Sequence, residues 1–396
     1  MIKYIDDKSE NGILYDYKKV RKLYKSLNCP TAYYNPCTAP IEKLNWCVEV
    51  SQRATGKTTN WLLWGLCMYW LYGTVTHYVR STESEIMPKV SKSMFSVILD
   101  NDYISKITGG VYNSITYKSR KWYLCKVDDN GIVVETDANF CVYMCSVDKA
   151  SQLKSSHNVP TGDLIIFDEF IASSKFYLCD FVPFCDLCKT IFRDRLSGKI
   201  ILLANTIDKE NQYFHELEIY ERISEMEIGD NCLHTTDKGT AIYIEIVGTP
   251  TVLKSRKKKF NKMFLGFKNT RLSGITGETT WSVNNYPHIP DKDFETVYRN
   301  IYICHNNKYV NLEIITNDTG VAIYCHWATQ IHEDSIRLVR HEITDIRDHY
   351  GIAEDTCFAK LFKYCCFMHR VYFASNDVGT FVQNYLNQCG IKLPLL

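Results

Sequence analysis

Three short apolar runs stand out along the chain: Trp46 to Val50, interrupted by Glu49, then Leu164-Ile165-Ile166-Phe167, and Ile200 to Ala204. Runs of this length without alternation read as strands buried on both faces of a sheet. Val75 to Arg80 alternates apolar with polar and reads as a further strand, while Thr58 to about Tyr72 is apolar almost throughout and reads as a buried helix. Helices are also predicted over Tyr15–Leu27, Pro88–Leu99 and Cys185 to about Arg195. Between Gly110 and Val147 the pattern becomes short β runs, broken at Asp128-Asp129-Asn130-Gly131, a hairpin-turn signal. Strands alternating with helices imply a mostly parallel α/β sheet.

The character shifts after about Gly229. Ile242 to Ile246 reads as a strand, and Lys254-Ser255-Arg256-Lys257-Lys258-Lys259 opens a basic stretch with helical character. From near Pro290 strands are expected at Ile301–Cys304, Val310–Ile315 and Val321–Trp327, followed by helices at Cys357–Cys366 and Thr380–Asn387. The expected division is residues 1–229, a linker or lid over 230–290, and a C-terminal domain over 291–396. The longest apolar run, Trp61 to Tyr72, falls well short of the roughly 20 residues that cross a bilayer, so no membrane association is expected.

Composition changes this picture little. Lys and Arg total 46 against 45 Asp and Glu, so no global basic field announces a polyanionic partner. A locally basic surface suffices for such a partner, so nucleic acid is not excluded. The 17 cysteines are scattered without a disulfide framework, and Met1 is followed by charged residues rather than a signal peptide, which reads as a reduced cytosol. Cys185 and Cys188 have metal-like spacing with Cys179 nearby, but no second pair completes a zinc site, and core packing is the favoured reading.

The chemistry is carried by Ser51-Gln52-Arg53-Ala54-Thr55-Gly56-Lys57-Thr58-Thr59, which directly follows the first apolar run. A strand entering a Gly-Lys-Thr turn and then a helix holds nucleotide phosphates: backbone N–H groups wrap the β-phosphate, Lys57 bridges to the γ-phosphate, and Thr58 ligates magnesium. Ser51 stands where the usual pattern has its first glycine. The second element is Asp163-Leu164-Ile165-Ile166-Phe167-Asp168-Glu169, a buried strand with two carboxylates at its end. Asp168 suits the magnesium shell, and Glu169 suits a water-orienting role. Together they predict an ATPase using ATP and Mg2+.

These motifs resemble one family, the DNA-packaging (encapsidation) ATPases of phi-29-like bacteriophages, relatives of the terminase large subunits. The resemblance runs through Tyr34-Asn35-Pro36, Arg53 within the loop, Tyr78-Val79-Arg80, Ile166 to Ile171, Thr190 to Arg195, Leu203-Ala204-Asn205 and, more weakly, Asn376-Asp377-Val378. It implies a P-loop ASCE-type ATPase domain, a small helical linker or lid, and an α+β RNase H-like C-terminal domain with vestigial nuclease character. It further implies a homopentameric ring at the portal vertex of a prohead in the host cytoplasm. Such a ring drives double-stranded DNA inward, meets the portal (connector) protein, and in some members uses a packaging RNA.

By the same resemblance Arg193 is the arginine finger, acting on a neighbour's nucleotide; the alternative is a surface arginine, Arg195 being two residues on. Arg53 is open between a γ-phosphate contact and a sensor, Lys154 between a trans contact and a solvated loop lysine, and Asn205 between a γ-phosphate sensor and a helix cap. Tyr34 or Asn35 is expected to border the adenine. Lys254–Lys259 reads either as a phosphate contact or as a solvated helix face. Where relatives carry a lysine shortly after the strand arginine, this chain has Ser81-Thr82-Glu83, and its hairpin region is expanded, with Lys118, Arg120 and Lys121 near the start. Two alternatives differ in activity: a terminase that also cuts DNA, which needs converging carboxylates that Glu313 and Asp318 do not form, and a nucleotide-binding assembly scaffold.

Overall fold

Helix α1 (Tyr17–Ser26) begins where Asp16 accepts hydrogen bonds from the N–H groups of Lys18 and Lys19, and it buries Val20 and Tyr24. Helix α2 (Lys57–Tyr72) is bounded at both ends by glycines in the left-handed region, Gly56 at φ +81° and Gly73 at φ +70°. Its apolar residues run all round because it is covered on every side: Trp61 to Tyr69 are buried without a break. Gly65 explains how closely α2 crosses the sheet, since a Cβ there would lie 2.3 Å from the Thr76 hydroxyl.

The computed structural model describes residues 15–31, 33–51, 55–87, 92–153, 159, 161–171, 181–193, 195–205, 211–248, 286–290, 293–305, 308–339, 348–350 and 357–389. They fall into two units. The first contains residues 1–172, 180–206 and 217–266, and the second contains 173–179, 207–216 and 267–396.

The first unit is built on β1 (Trp46–Ser51), β2 (Thr76–Arg80), β3 (Ser114–Lys118), β4 (Lys121–Val127), β5 (Val133–Thr136), β6 (Val142–Ser146), β7 (Leu164–Asp168), β8 (Lys199–Asn205), β9 (Asn231–Thr235) and β10 (Ala241–Val247). These ten form one sheet in the order β3-β4-β6-β2-β7-β8-β1-β10-β9, with β5 beside β4. The run from β6 to β10 is parallel throughout, while the flanking β3, β4, β5 and β9 are antiparallel. The apolar runs predicted as buried strands are the central ones, as two-faced burial requires. Strand β8 lies between the phosphate-loop strand β1 and the carboxylate strand β7, the arrangement of an ASCE-type P-loop sheet. Helix α3 (Phe181–Phe192) buries Phe184, Leu187, Cys188 and Ile191, so Cys188 packs in the core.

Two expectations change here. The boundary at 229 divides this sheet: β10 pairs with β1 along its whole length, Trp46 to Ser51 opposite Ile242 to Val247, so the first domain runs through Val247. The helix expected over Pro88–Leu99 is, within the described residues, a 3-10 turn at Lys92–Phe95 followed by Ser96–Asp100.

The second unit carries a seven-stranded sheet: β11 (Glu295–Tyr298), β12 (Ile301–His305), β13 (Lys308–Asn317), β14 (Gly320–Ala328), β15 (Ile336–Val339), β16 (Asp348–Tyr350) and β17 (Val371–Phe373), in the order β16-β15-β12-β13-β14-β17 with β11 on β13. Strands β12, β13 and β14 form an antiparallel meander, and β15 and β16 continue parallel to β12. Ile301, Ile303, Leu312 and Ile323 enter one core with Phe362 of α4 (Cys357–Phe367) and Phe381 and Tyr385 of α5 (Asn376–Gln388).

Candidate nucleotide-binding site

Strands β1, β7 and β8 end on the same edge of the sheet, because they are parallel and neighbouring. Ser51 lies opposite Asn205, and Asp168 opposite Leu203. At that edge opens a pocket of about 420 Å³ lined by Thr55 to Thr59, Asp168, Glu169, Ala204 and Asn205. Both halves of the sequence motif, more than a hundred residues apart, therefore share one cavity. Gln52, Arg53 and Ala54 lie outside the described residues, as do Lys154 and Lys254–Lys259.

Lys57 is buried, and its ammonium donates to the Ser51 hydroxyl, which also lies 2.8 Å from Thr55 Oγ1. The serine in the glycine's place thus ties the two ends of the loop together and gives Lys57 a partner. The Thr58 hydroxyl donates to Asp168 Oδ2 at 3.0 Å. A hydroxyl and a carboxylate so close, beside the first turn of a long helix, fit a magnesium–phosphate group: Thr58 and Asp168 would share the cation's shell and Lys57 would neutralise phosphate oxygens. A metal held there would supply charge neutralisation to phosphate oxygens.

Asp168 also accepts from the Tyr78 phenol at 2.7 Å and faces Arg80 Nη1 at 3.6 Å. Burial and the Asp168 carboxylate raise the Tyr78 phenol well above its ordinary range, so it remains a donor. Glu169 leaves the strand at φ +54°, a left-handed conformation unusual for this residue type. Its carboxylate is drawn to Arg80 Nη2 at 2.6 Å. Arg80 also reaches Glu85 at 3.5 Å, and its Nε is buried without a hydrogen-bond partner. One guanidinium therefore holds both acidic side chains of the site.

Set against solved structures, the chain matches the Phi-28 gp11 DNA packaging motor with a TM-score of 0.53 at 16% identity, over 91% of this chain and 98% of that one. The chain has the fold of the phage DNA-packaging motors. The bacteriophage Phi-29 viral genome packaging motor assembly matches with a TM-score of 0.52 at 16% identity, over 91% of this chain and 100% of that one. No protein-family model and no curated protein matches the sequence.

Within this packaging-motor fold the remaining predicted residues separate. Asn205 lines the pocket. Tyr34 does not: it is buried, its phenol donates to Glu49, and its N–H donates to the Thr55 carbonyl at 2.9 Å. Trp61 Nε1 donates to the other Glu49 oxygen at 2.8 Å, so Tyr34, Glu49 and Trp61 form one buried hydrogen-bonded set that meets the turn into α2 at Thr55. Asn35 caps the turn at Pro36–Thr38 through the Cys37 N–H. Arg193 is exposed at the end of α3, just ahead of β8, and so stands on the edge of the sheet opposite its own pocket. Arg195 is tied to the fully buried Asp163 at 2.5 Å and to the Gly162 carbonyl at 3.2 Å.

Tyr78 and Arg80 are the site residues that the sequence did not reveal as such. Their signal is weak: alternation places both on one face of a strand, but only the pairing of β2 with β7, Val79 opposite Phe167, sets them beside Asp168.

Proposed function

We propose that this chain is an ATPase that drives packaging of double-stranded viral DNA into a prohead. The observation that carries the reading is the shared pocket of Lys57, Thr58, Asp168 and Glu169 on an ASCE-type sheet. Lys57 binds phosphate oxygens and Thr58 and Asp168 hold magnesium. Glu169, once released by Arg80, orients the attacking water. The two motor structures are packaging assemblies by name, and their fold extends over nearly the whole chain.

Arg193 acts on the nucleotide of a neighbouring copy. The support is its exposure on the edge away from its own pocket, together with the engagement of Arg195 in an internal ion pair. That requirement implies a closed ring, with five copies as in the family the motifs resemble, docked on the portal protein and, where one is used, a packaging RNA. The second unit follows the RNase H-like order, with a meander extended by two parallel strands on the side of its first strand. Among the described residues no three His, Cys, Asp or Glu side chains gather as a metal-binding group.

The test is ATP hydrolysis by wild type, Glu169→Gln and Arg193→Ala, alone and with duplex DNA and portal-bearing proheads. Both variants are expected to bind ATP and to lose stimulated turnover. Mixing them should restore part of it, because an interface joining the intact glutamate of one copy to the intact arginine of another is complete. Full turnover by Arg193→Ala in the assembly refutes the finger, and absence of wild-type turnover in every condition refutes the motor. DNA nicking on addition of manganese would favour the terminase alternative.

A further inference from the structure

The turn joining β3 to β4 is Lys118-Ser119-Arg120-Lys121, and Lys118 and Lys121 form the last register pair of the hairpin. Like charges directly opposite one another destabilise a hairpin. The two residues between them, Ser119 and Arg120, both have positive φ, at 52° and 65°, where a two-residue hairpin turn favours Asn or Gly. Such a backbone costs roughly 1–2 kcal/mol per residue in that region. Three cations in four positions, on a turn without glycine, work against hairpin stability. Lys118 and Ser119 are exposed, and Lys118 joins no ion pair among the described residues. The hairpin is nonetheless stiff: Trp122 is buried against Phe95 and Tyr117, with ring centroids 4.8 and 5.0 Å away, and Lys121 Nζ lies over the Phe140 ring at 4.6 Å.

This turn stands at the nucleotide edge of the sheet. The Arg120 carbonyl accepts from the Met144 N–H at 2.8 Å, two residues before Ser146, the partner of Arg80 in the β2–β6 ladder. The Arg120 guanidinium pairs with Glu83, which opens the short turn Glu83–Ile86 directly after β2. Glu85 in the same turn accepts from the Thr82 N–H and hydroxyl, both at 2.9 Å, and faces Arg80 at 3.5 Å. Asp148 also joins, accepting from the Glu83 N–H at 3.2 Å. Two ion-paired segments thus meet in the turn at 82–85: Arg120 with Glu83 at one end, and Glu85 with Arg80 and then Glu169 at 2.6 Å at the other, the backbone of the turn joining Glu83 to Glu85.

We infer that the β3–β4 hairpin tip is a contact for the phosphates of double-stranded DNA, and that its loading is relayed through Glu83, Glu85 and Arg80 to Glu169. The inference rests on the ATPase reading above and adds to it a substrate contact and a route to the catalytic carboxylate. A two-stranded ribbon is narrow enough to follow a DNA groove, and lysine and arginine on its tip recognise backbone phosphate without reading sequence. When a phosphate takes the Arg120 guanidinium, Glu83 is released. The turn at 82–85 then shifts, and Glu85 draws Arg80 off Glu169. Nucleotide hydrolysis is thereby tied to the presence of DNA.

The test uses the full chain with a short DNA duplex, measuring affinity against salt concentration and ATP turnover with and without saturating duplex. Lys118→Glu should weaken duplex binding about tenfold at low salt and lower the salt slope by about one for each phosphate it no longer neutralises. Glu83→Gln should keep the affinity but lose the stimulation, which separates contact from relay. Wild-type affinity and salt slope in Lys118→Glu would overturn the contact, and full stimulation in both Arg120→Ala and Glu83→Gln would overturn the relay. If the tip instead meets an acidic face of a second copy, Lys118→Glu will alter assembly and leave duplex binding unchanged, which also overturns the inference. Should wild type hydrolyse no ATP, the function proposed above fails, while the affinity comparison still decides the contact.

Discussion

Glu49 offers a prediction whose size follows from the structure. It lies in the middle of β1, wholly buried, opposite Glu245 of β10, and accepts from Tyr34 and Trp61. Burial is the largest influence on its carboxyl and pushes it up to about 8, and Glu245 raises it further, while the Tyr34 and Trp61 donors and Lys57 pull the other way. In the unfolded chain a glutamate titrates near 4.3. Because the folded value is the higher one, the stability that Glu49 contributes is complete below about pH 4.3 and is lost progressively as the pH rises towards about 8. Within that window the loss is about 1.4 kcal/mol per pH unit, so from pH 6 to 7.5 it amounts to about 2 kcal/mol.

For a domain of this size that is a fall of roughly 4–8 °C in melting temperature. Glu245 is also raised, by burial first, and contributes with the same sign. The informative quantity is therefore the difference between wild type and Glu49→Gln, measured by thermal melting of both proteins at pH 6, 6.75 and 7.5. The wild-type curve should fall more steeply, and the variant should overtake it at the alkaline end. Parallel curves would mean that Glu49 is ionised in the folded protein and that its two donors outweigh desolvation.

Other perturbations follow from the same structure. Arg80→Ala releases Glu169, whose side chain is 45% exposed; a pair of that exposure is worth about 1 kcal/mol, so unstimulated ATP turnover should rise about fivefold, and a fall would show that Arg80 is needed in the reaction itself. Asp163→Asn leaves the largely buried Arg195 without its ion pair, and urea unfolding should show a loss of about 3–5 kcal/mol; an unchanged midpoint would refute the importance of the pair. Gly65→Ala places a methyl 2.3 Å from the Thr76 hydroxyl; overpacking of about 1–3 kcal/mol should exceed the roughly 1 kcal/mol gained in helix propensity, and a higher unfolding midpoint would refute that balance.

The sequence by itself determined the parts whose physics is local. The turn into α2 needs a glycine before its lysine because Gly56 sits at φ +81°, and that need is legible in seven consecutive letters. The buried strands are legible because a parallel strand covered on both faces has few places for a polar residue. The helix behind the loop is legible because apolar residues surround it.

What the tertiary structure alone decided are pairings between distant segments. Whether Ile242–Ile246 belongs to a linker or to the first sheet depends on which strand accepts its hydrogen bonds, and it is β1, almost two hundred residues earlier. Tyr34 is a stacking candidate as an isolated aromatic and a buried donor to Glu49 once the chain is folded. Arg193 and Arg195 are alike as letters; only the fold shows that Arg195 pairs with the buried carboxylate of Asp163. The grip of Arg80 on Glu169, and its extension to a basic hairpin, exist because β2 lies between β6 and β7. A chain pattern records which residues are apolar at what period, and it does not record which strand becomes whose neighbour.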